Sequence, residues 1–184
     1  ESAANWKTLG DAVEACRQRG LVVWLYDEEG YPSGSAGGLV LRENKQYEAI
    51  TLAYDAGRSD PFIFRPAFEH THASNNYAAV RRYINLLDPE ATACFLRVTH
   101  DAYFKHLGPH FGKTIVATFT DEPSLMALNL GQLPEKVRGK VRVVDPIDPN
   151  VAALPCVPWS RDLPGTYRQR YGRDLMAERR SLFV

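Results

Sequence analysis

Two acidic clusters in the sequence carry residue types that could do chemistry. One is Thr120-Asp121-Glu122-Pro123, and the other is Tyr26-Asp27-Glu28-Glu29-Gly30-Tyr31-Pro32-Ser33-Gly34. Cleaving a glycosidic bond needs one carboxyl group to protonate the leaving oxygen and, in most enzymes, a second to act as base or nucleophile. A carboxyl group at a strand end is held rigidly, and partial burial brings such a group toward the pH range in which it donates a proton near neutrality. Glu122 and Asp121 are therefore the candidate catalytic carboxylates. Tyr26, Asp27, Glu28, Tyr31 and Ser33 supply what a sugar pocket uses, aromatic rings for C–H faces and oxygens for hydroxyls. Trp159, after Pro158, either lines a sugar subsite or plugs the edge of the core. Asp27 and Glu28 could also hold calcium, which takes several oxygen ligands. The plainer alternatives are a helix cap or Arg pairing for Asp121 and Glu122, and a solvated turn for residues 26–34.

The elements that must position these residues follow from periodicity. Leu9, Val13 and Cys16 predict a helix over Asn5–Arg19, stopped by Gly20. Leu21–Tyr26 is an apolar run rich in β-branched and aromatic residues, which predicts a strand buried on both faces. Asp88-Pro89-Glu90 predicts a helix start, with Asp88 as N-cap and Pro89 at the first helical position. Ala91, Phe95, Val98 and Ala102 share one face of that helix, and Gly108-Pro109 ends it. Thr114–Phe119 predicts a second buried strand. Both strands thus run into acidic loops, the place where (β/α)8 barrels and open α/β sheets carry their sites. Residues 39–76 read as a hairpin or loop insertion, with an extended piece at 62–64. Short strands are expected at 82–87 and 141–144, loop over most of 126–157, and helices at 163–170 and 174–182.

Composition and motif spacing exclude several classes. Lys plus Arg equals Asp plus Glu at 22 each, so no basic field attracts nucleic acid or an anionic membrane. The longest apolar run falls far short of a membrane span. The glycines at 34, 37 and 38 lack phosphate-loop spacing, and Ser33 and Ser35 lie in no nucleophile elbow. Three widely spaced cysteines form neither a zinc site nor a disulfide framework. His70 and His72 lack an evident third ligand. His100 is expected on the helix after Asp88, away from the strand tips. At 184 residues, the whole chain reads as a single incomplete catalytic-barrel domain with three or four βα units, since a full barrel takes about 250 residues.

Several stretches resemble one family. Val23-Trp-Leu-Tyr-Asp-Glu-Glu-Gly-Tyr-Pro-Ser-Gly-Ser-Ala-Gly-Gly38 is similar to a signature of large bacterial glycoside hydrolases related to the α-L-rhamnosidases of glycoside hydrolase family 106. Leu86-Leu-Asp-Pro-Glu-Ala-Thr92, Phe111-Gly-Lys-Thr-Ile115, Phe119-Thr-Asp-Glu-Pro123 and Tyr171-Gly-Arg-Asp-Leu175 resemble later elements in order. The resemblance implies a (β/α)8 catalytic domain beside β-sandwich domains, acting by inversion on an oligo- or polysaccharide, with rhamnosides leading. It implies Glu122 as general acid, and Asp27 and Glu28 as sugar- or metal-binding residues. No cofactor is required, and calcium can sit at the sugar. It places the second carboxylate on a strand that this chain is not expected to reach, and it implies a periplasmic or secreted setting. The rival readings are a carbohydrate-binding domain using Tyr26, Tyr31 and Trp159, and a metal-dependent hydrolase using Asp27, Glu28, Asp121, His70 and His72.

Overall fold

The computed structural model describes residues 2–67, 83–125, 135–138 and 153–184. Helix α1 (Ala3–Gln18) starts where the Ser2 hydroxyl accepts the Asn5 N–H, satisfying one of the donors a helix start leaves free. It ends before Gly20, whose φ of +67° belongs to the left-handed region that glycine enters without steric cost. Strand β1 (Val23–Tyr26) follows. Helix α3 (Pro89–Leu96) begins as its cap predicts, the Asp88 carboxylate accepting the Glu90 and Ala91 N–H groups. A π-turn at Arg97–Asp101 joins it to α4 (Ala102–Leu107), and β4 (Ile115–Phe119) comes next.

β1 and β4 pair in parallel, with Tyr26 opposite Phe119 at their C-terminal ends. Parallel neighbours need a crossover, and here α3 and α4 lie on that route. Val13, Leu25, Leu107 and Ile115 form the core between this pair and the helices, flanked by Leu9, Val23, Tyr103 and Phe111. The opposite face is open among the described residues: Trp24 is 66% exposed and Val116 50%. The expectation of strands covered on both faces therefore holds for one face only. An apolar composition says that both faces favour burial, not what lies against each.

The remaining strands form a separate antiparallel sheet. β2 (Ile50–Tyr54) lies between β3 (Phe62–Pro66) and β5 (Cys156–Trp159). β2 and β3 make a hairpin within residues 39–76, preceded by the short helix α2 (Leu39–Glu43). β5 begins inside the stretch read as loop. Its Pro158 argues against a central strand, but the edge position removes the need for its missing N–H. Leu52, Trp159 and Leu175 form this sheet's core with helices α6 (Leu163–Tyr171) and α7 (Leu175–Glu178), and a one-turn α5 spans Glu135–Arg138. A third cluster joins Ala36 and Val40 to Ile84, Cys94 and Phe95.

The architecture is mixed α/β. Among the described residues the parallel sheet has two strands and no barrel closes. The strand expected at 141–144 lies outside the described residues. Of the one expected at 82–87, Ile84 makes an isolated bridge to Glu48. No described helix is long and apolar enough to cross a membrane.

Leu107 is buried where α4 meets β4. Leu107→Ala is expected to cost about 2–5 kcal/mol. A denaturant midpoint close to that of the parent chain would show that this contact does not form.

Candidate functional site

Parallel pairing brings the two acidic clusters together. The ladder runs one residue past β1, with the Asp27 N–H donating to the Phe119 carbonyl at 3.2 Å. The segments 27–34 and 120–124 therefore leave the sheet side by side.

Asp27 is 3% exposed, and both its oxygens are engaged. Oδ1 accepts from Ser33 Oγ at 2.7 Å, and Oδ2 accepts from Thr120 Oγ1 at 2.5 Å. His100 Nε2 lies 3.2 Å from the same Oδ2. Ser33 is fully buried and uses every polar group it has. Its N–H donates to the Asp121 carbonyl at 2.8 Å, and its Oγ accepts the Asp121 N–H at 2.9 Å. Its carbonyl accepts the Tyr83 hydroxyl at 2.6 Å, and that hydroxyl accepts the Ser124 N–H at 3.1 Å. Gly34 permits this approach, since a Cβ there would lie 2.9 Å from Tyr83 Oη.

Glu28 closes the loop on itself. Its Oε1 accepts the N–H groups of Glu29 and Gly37, and its Oε2 those of Gly34 and Ala36, at 2.6–3.1 Å. Tyr26 donates its hydroxyl to the Gly30 carbonyl, while its own carbonyl accepts Tyr103 Oη at 3.1 Å. Burial pushes the Tyr26 hydroxyl above the usual phenol range against a lowering by Ser33, and the nearby Asp121, Glu28 and Asp27 carboxylates add to the rise. It therefore stays a donor.

Glu122 differs from these groups. Asp121 before it and Ser124 two residues after it are fastened through Ser33 and Tyr83, yet Glu122 itself is exposed, so the partial burial expected of this carboxyl group is not found. Its φ is +40°, a left-handed conformation uncommon for a residue with a side chain and costing about 1–3 kcal/mol. The Tyr31 hydroxyl donates to Glu122 Oε2. The arrangement presents one carboxyl group outward, with one oxygen held by a phenol.

The sequence-predicted residues thus separate. Glu122 and Tyr31 meet at the surface, with Asp121 beside them. Asp27, Glu28 and Ser33 stand behind as the framework, their acceptors occupied by the protein itself. Trp159 goes elsewhere: it is 2% exposed in the core of the antiparallel sheet, where its ring packs against Phe64 and offers no sugar platform. His70 and His72 lie outside the described residues. His100 corrects the expectation that it points away from the strand tips. The π-turn, which a 3.6-residue period does not anticipate, carries it to Asp27. Tyr83 and Thr120 were also missed. Thr120 opens the acidic motif but has no role assigned by sequence, and nothing local marks Tyr83.

The carboxylates expected to hold calcium, Asp27 and Glu28, are already bonded within the protein. A cation there would displace the hydroxyl and N–H donors that already surround both carboxylates. Among the described residues no three metal-ligating side chains converge. A cavity of about 440 Å³ opens between α1, the 27–39 loop and the π-turn, with Trp6, Glu29, Arg42 and Tyr103 in its walls. Neither Glu122 nor Tyr31 lines it. Comparison of the chain with protein-family models, curated protein sequences and solved structures finds no match.

Glu28→Gln turns an amide NH2 toward backbone donors. It is expected to lower stability by at least about 1.5–3 kcal/mol in urea titration, and an unchanged midpoint would contradict the four-bond arrangement. Millimolar calcium is expected to leave the Tm unchanged, whereas a clear rise abolished by Asp27→Asn would show these carboxylates opening to metal.

Proposed function

We propose that this chain is part of the catalytic barrel of a glycoside hydrolase, that Glu122 is its general acid, and that its substrate is an oligo- or polysaccharide with α-L-rhamnosides leading. The observation that carries this reading is the outward carboxyl group of Glu122, fixed by Tyr31 on a left-handed backbone at the end of a parallel strand. Backbone strain of this kind persists where the surroundings over-determine it, and such places cluster at active sites.

The chemistry follows from the hydrogen bonds. Protonated at one oxygen, Glu122 gives its proton to the leaving glycosidic oxygen. The carboxylate that remains is stabilised by the Tyr31 hydroxyl donating to Oε2. Asp27 cannot serve as the base, because its lone pairs already face Ser33, Thr120 and His100. The base that activates water comes from further polypeptide, in keeping with the resemblance to family 106. The exposed apolar face around Trp24 and Val116 supports the same view, being suited to coverage by the rest of a barrel. The whole protein carries β-sandwich domains on this reading and works in the periplasm or outside the cell.

The carbohydrate-binding alternative is weaker, since one of its three platform rings is in the core and a second packs on Phe119. Trp159 is buried in the antiparallel sheet, and the Tyr26 ring lies against Phe119, 5.7 Å between centroids.

In the full-length protein, Glu122→Gln is expected to cut turnover of an alkyl rhamnoside about 10²–10⁴-fold. A nitrophenyl rhamnoside, whose leaving group needs little protonation, is expected to suffer less. Equal rates for parent and variant on the alkyl glycoside would remove Glu122 from the mechanism.

A further inference from the structure

We propose that His100 is a positioning residue that sets the Glu122 segment through Asp27 and Ser33; the catalytic part of this inference rests on the role proposed for Glu122. The path is continuous in hydrogen bonds. His100 Nε2 meets Asp27 Oδ2, Asp27 Oδ1 accepts from Ser33 Oγ, and Ser33 Oγ accepts the N–H of Asp121, the residue before Glu122. An ionised carboxylate can only accept, so Nε2 carries the proton in the first link. The Ser33 hydroxyl has one proton. Donating it to Asp27 leaves a lone pair facing Asp121, so the direction of the chain is fixed from the helix to the strand tip.

The helix is built to make this contact. Uninterrupted α-helical winding from α3 into α4 would bring Phe95 beside residues 98 and 99. The π-turn instead brings together residues five apart, and the Phe95 and His100 rings meet edge to face, 6.1 Å between centroids. Thr99 stays beside Phe95 as well, its buried Oγ1 donating to the Phe95 carbonyl at 2.7 Å. π-bulges inside α-helices occur frequently at functional sites. Asp27 is too buried for solvent to replace a lost donor freely, so removing His100 leaves Thr120 as the one side-chain donor to Oδ2 among the described residues and loosens the carboxylate that Ser33 bonds.

Two variants separate the donor from the ring. His100→Phe keeps the packing on Phe95 without a donor. His100→Gln keeps an N–H donor at similar reach without the ring. The first readout is amide hydrogen exchange at Asp121 and Ser33 in the full-length protein, which does not depend on any enzymatic activity. The second is kcat and KM on the alkyl rhamnoside. His100→Phe is expected to lose protection at both amides and to lower kcat about 10- to 100-fold with KM nearly unchanged, as small misplacements of a reacting group do. His100→Gln is expected to retain most of both. Parent-like amide protection in His100→Phe, or equal loss in the two variants, overturns the proposal. If the amides respond as expected while Glu122→Gln leaves turnover intact, the positioning path stands and the acid role of Glu122 falls.

Discussion

A carboxylate buried at the end of a strand is tolerated only when donors close around it, and Asp27 draws those donors from three separate parts of the chain. Ser33 comes from the loop after β1, Thr120 from the end of β4, and His100 from the turn between α3 and α4. Meeting the needs of one buried charge therefore fixes the loop path, the side-by-side exit of the strands and the rotation of the helix together. Glu28 solves the same problem more locally by gathering four backbone N–H groups. Two of the three consecutive acids thus build the platform, and the exposed acid that stands on it comes from the neighbouring strand.

This division explains what could be read from the sequence. The helix start at Asp88, the two apolar strands and the acids at their ends follow from local rules: a capping side chain, a run of β-branched and aromatic residues, a break in periodicity. Roles within the acidic clusters do not. Asp27, Glu28 and Ser33 have the same residue types whether they face a ligand or the protein's own backbone, and the difference depends on which donors the fold delivers. His100 was misplaced because a single additional residue in a helical turn leaves almost no trace in amphipathic spacing. Trp159 takes the second of its two expected places, in the core, and its sequence context does not decide between them because Pro158 hides an edge strand whose partner, β2, lies about a hundred residues earlier in the chain.

The two sheets meet their burial requirements differently. The antiparallel sheet has a core of its own around Leu52 and Trp159. The parallel pair buries one face on α1 and α4 and leaves Trp24 and Val116 open among the described residues. Parallel strands are found almost always with both faces covered. The Glu122 segment leaves the sheet at the end of this pair.

The left-handed backbone at residue 122 carries a steric cost. Glycine there would adopt the same φ without the steric cost, and asparagine would tolerate it better than glutamate. Selection for a durable fold alone would favour either one. Keeping glutamate holds the site in a state that the surrounding bonds through Ser33 and Tyr83 must continually oppose. Substitutions that loosen those bonds therefore release strain as well as remove contacts, and their damage to the fold is smaller than their damage to the geometry of the acid.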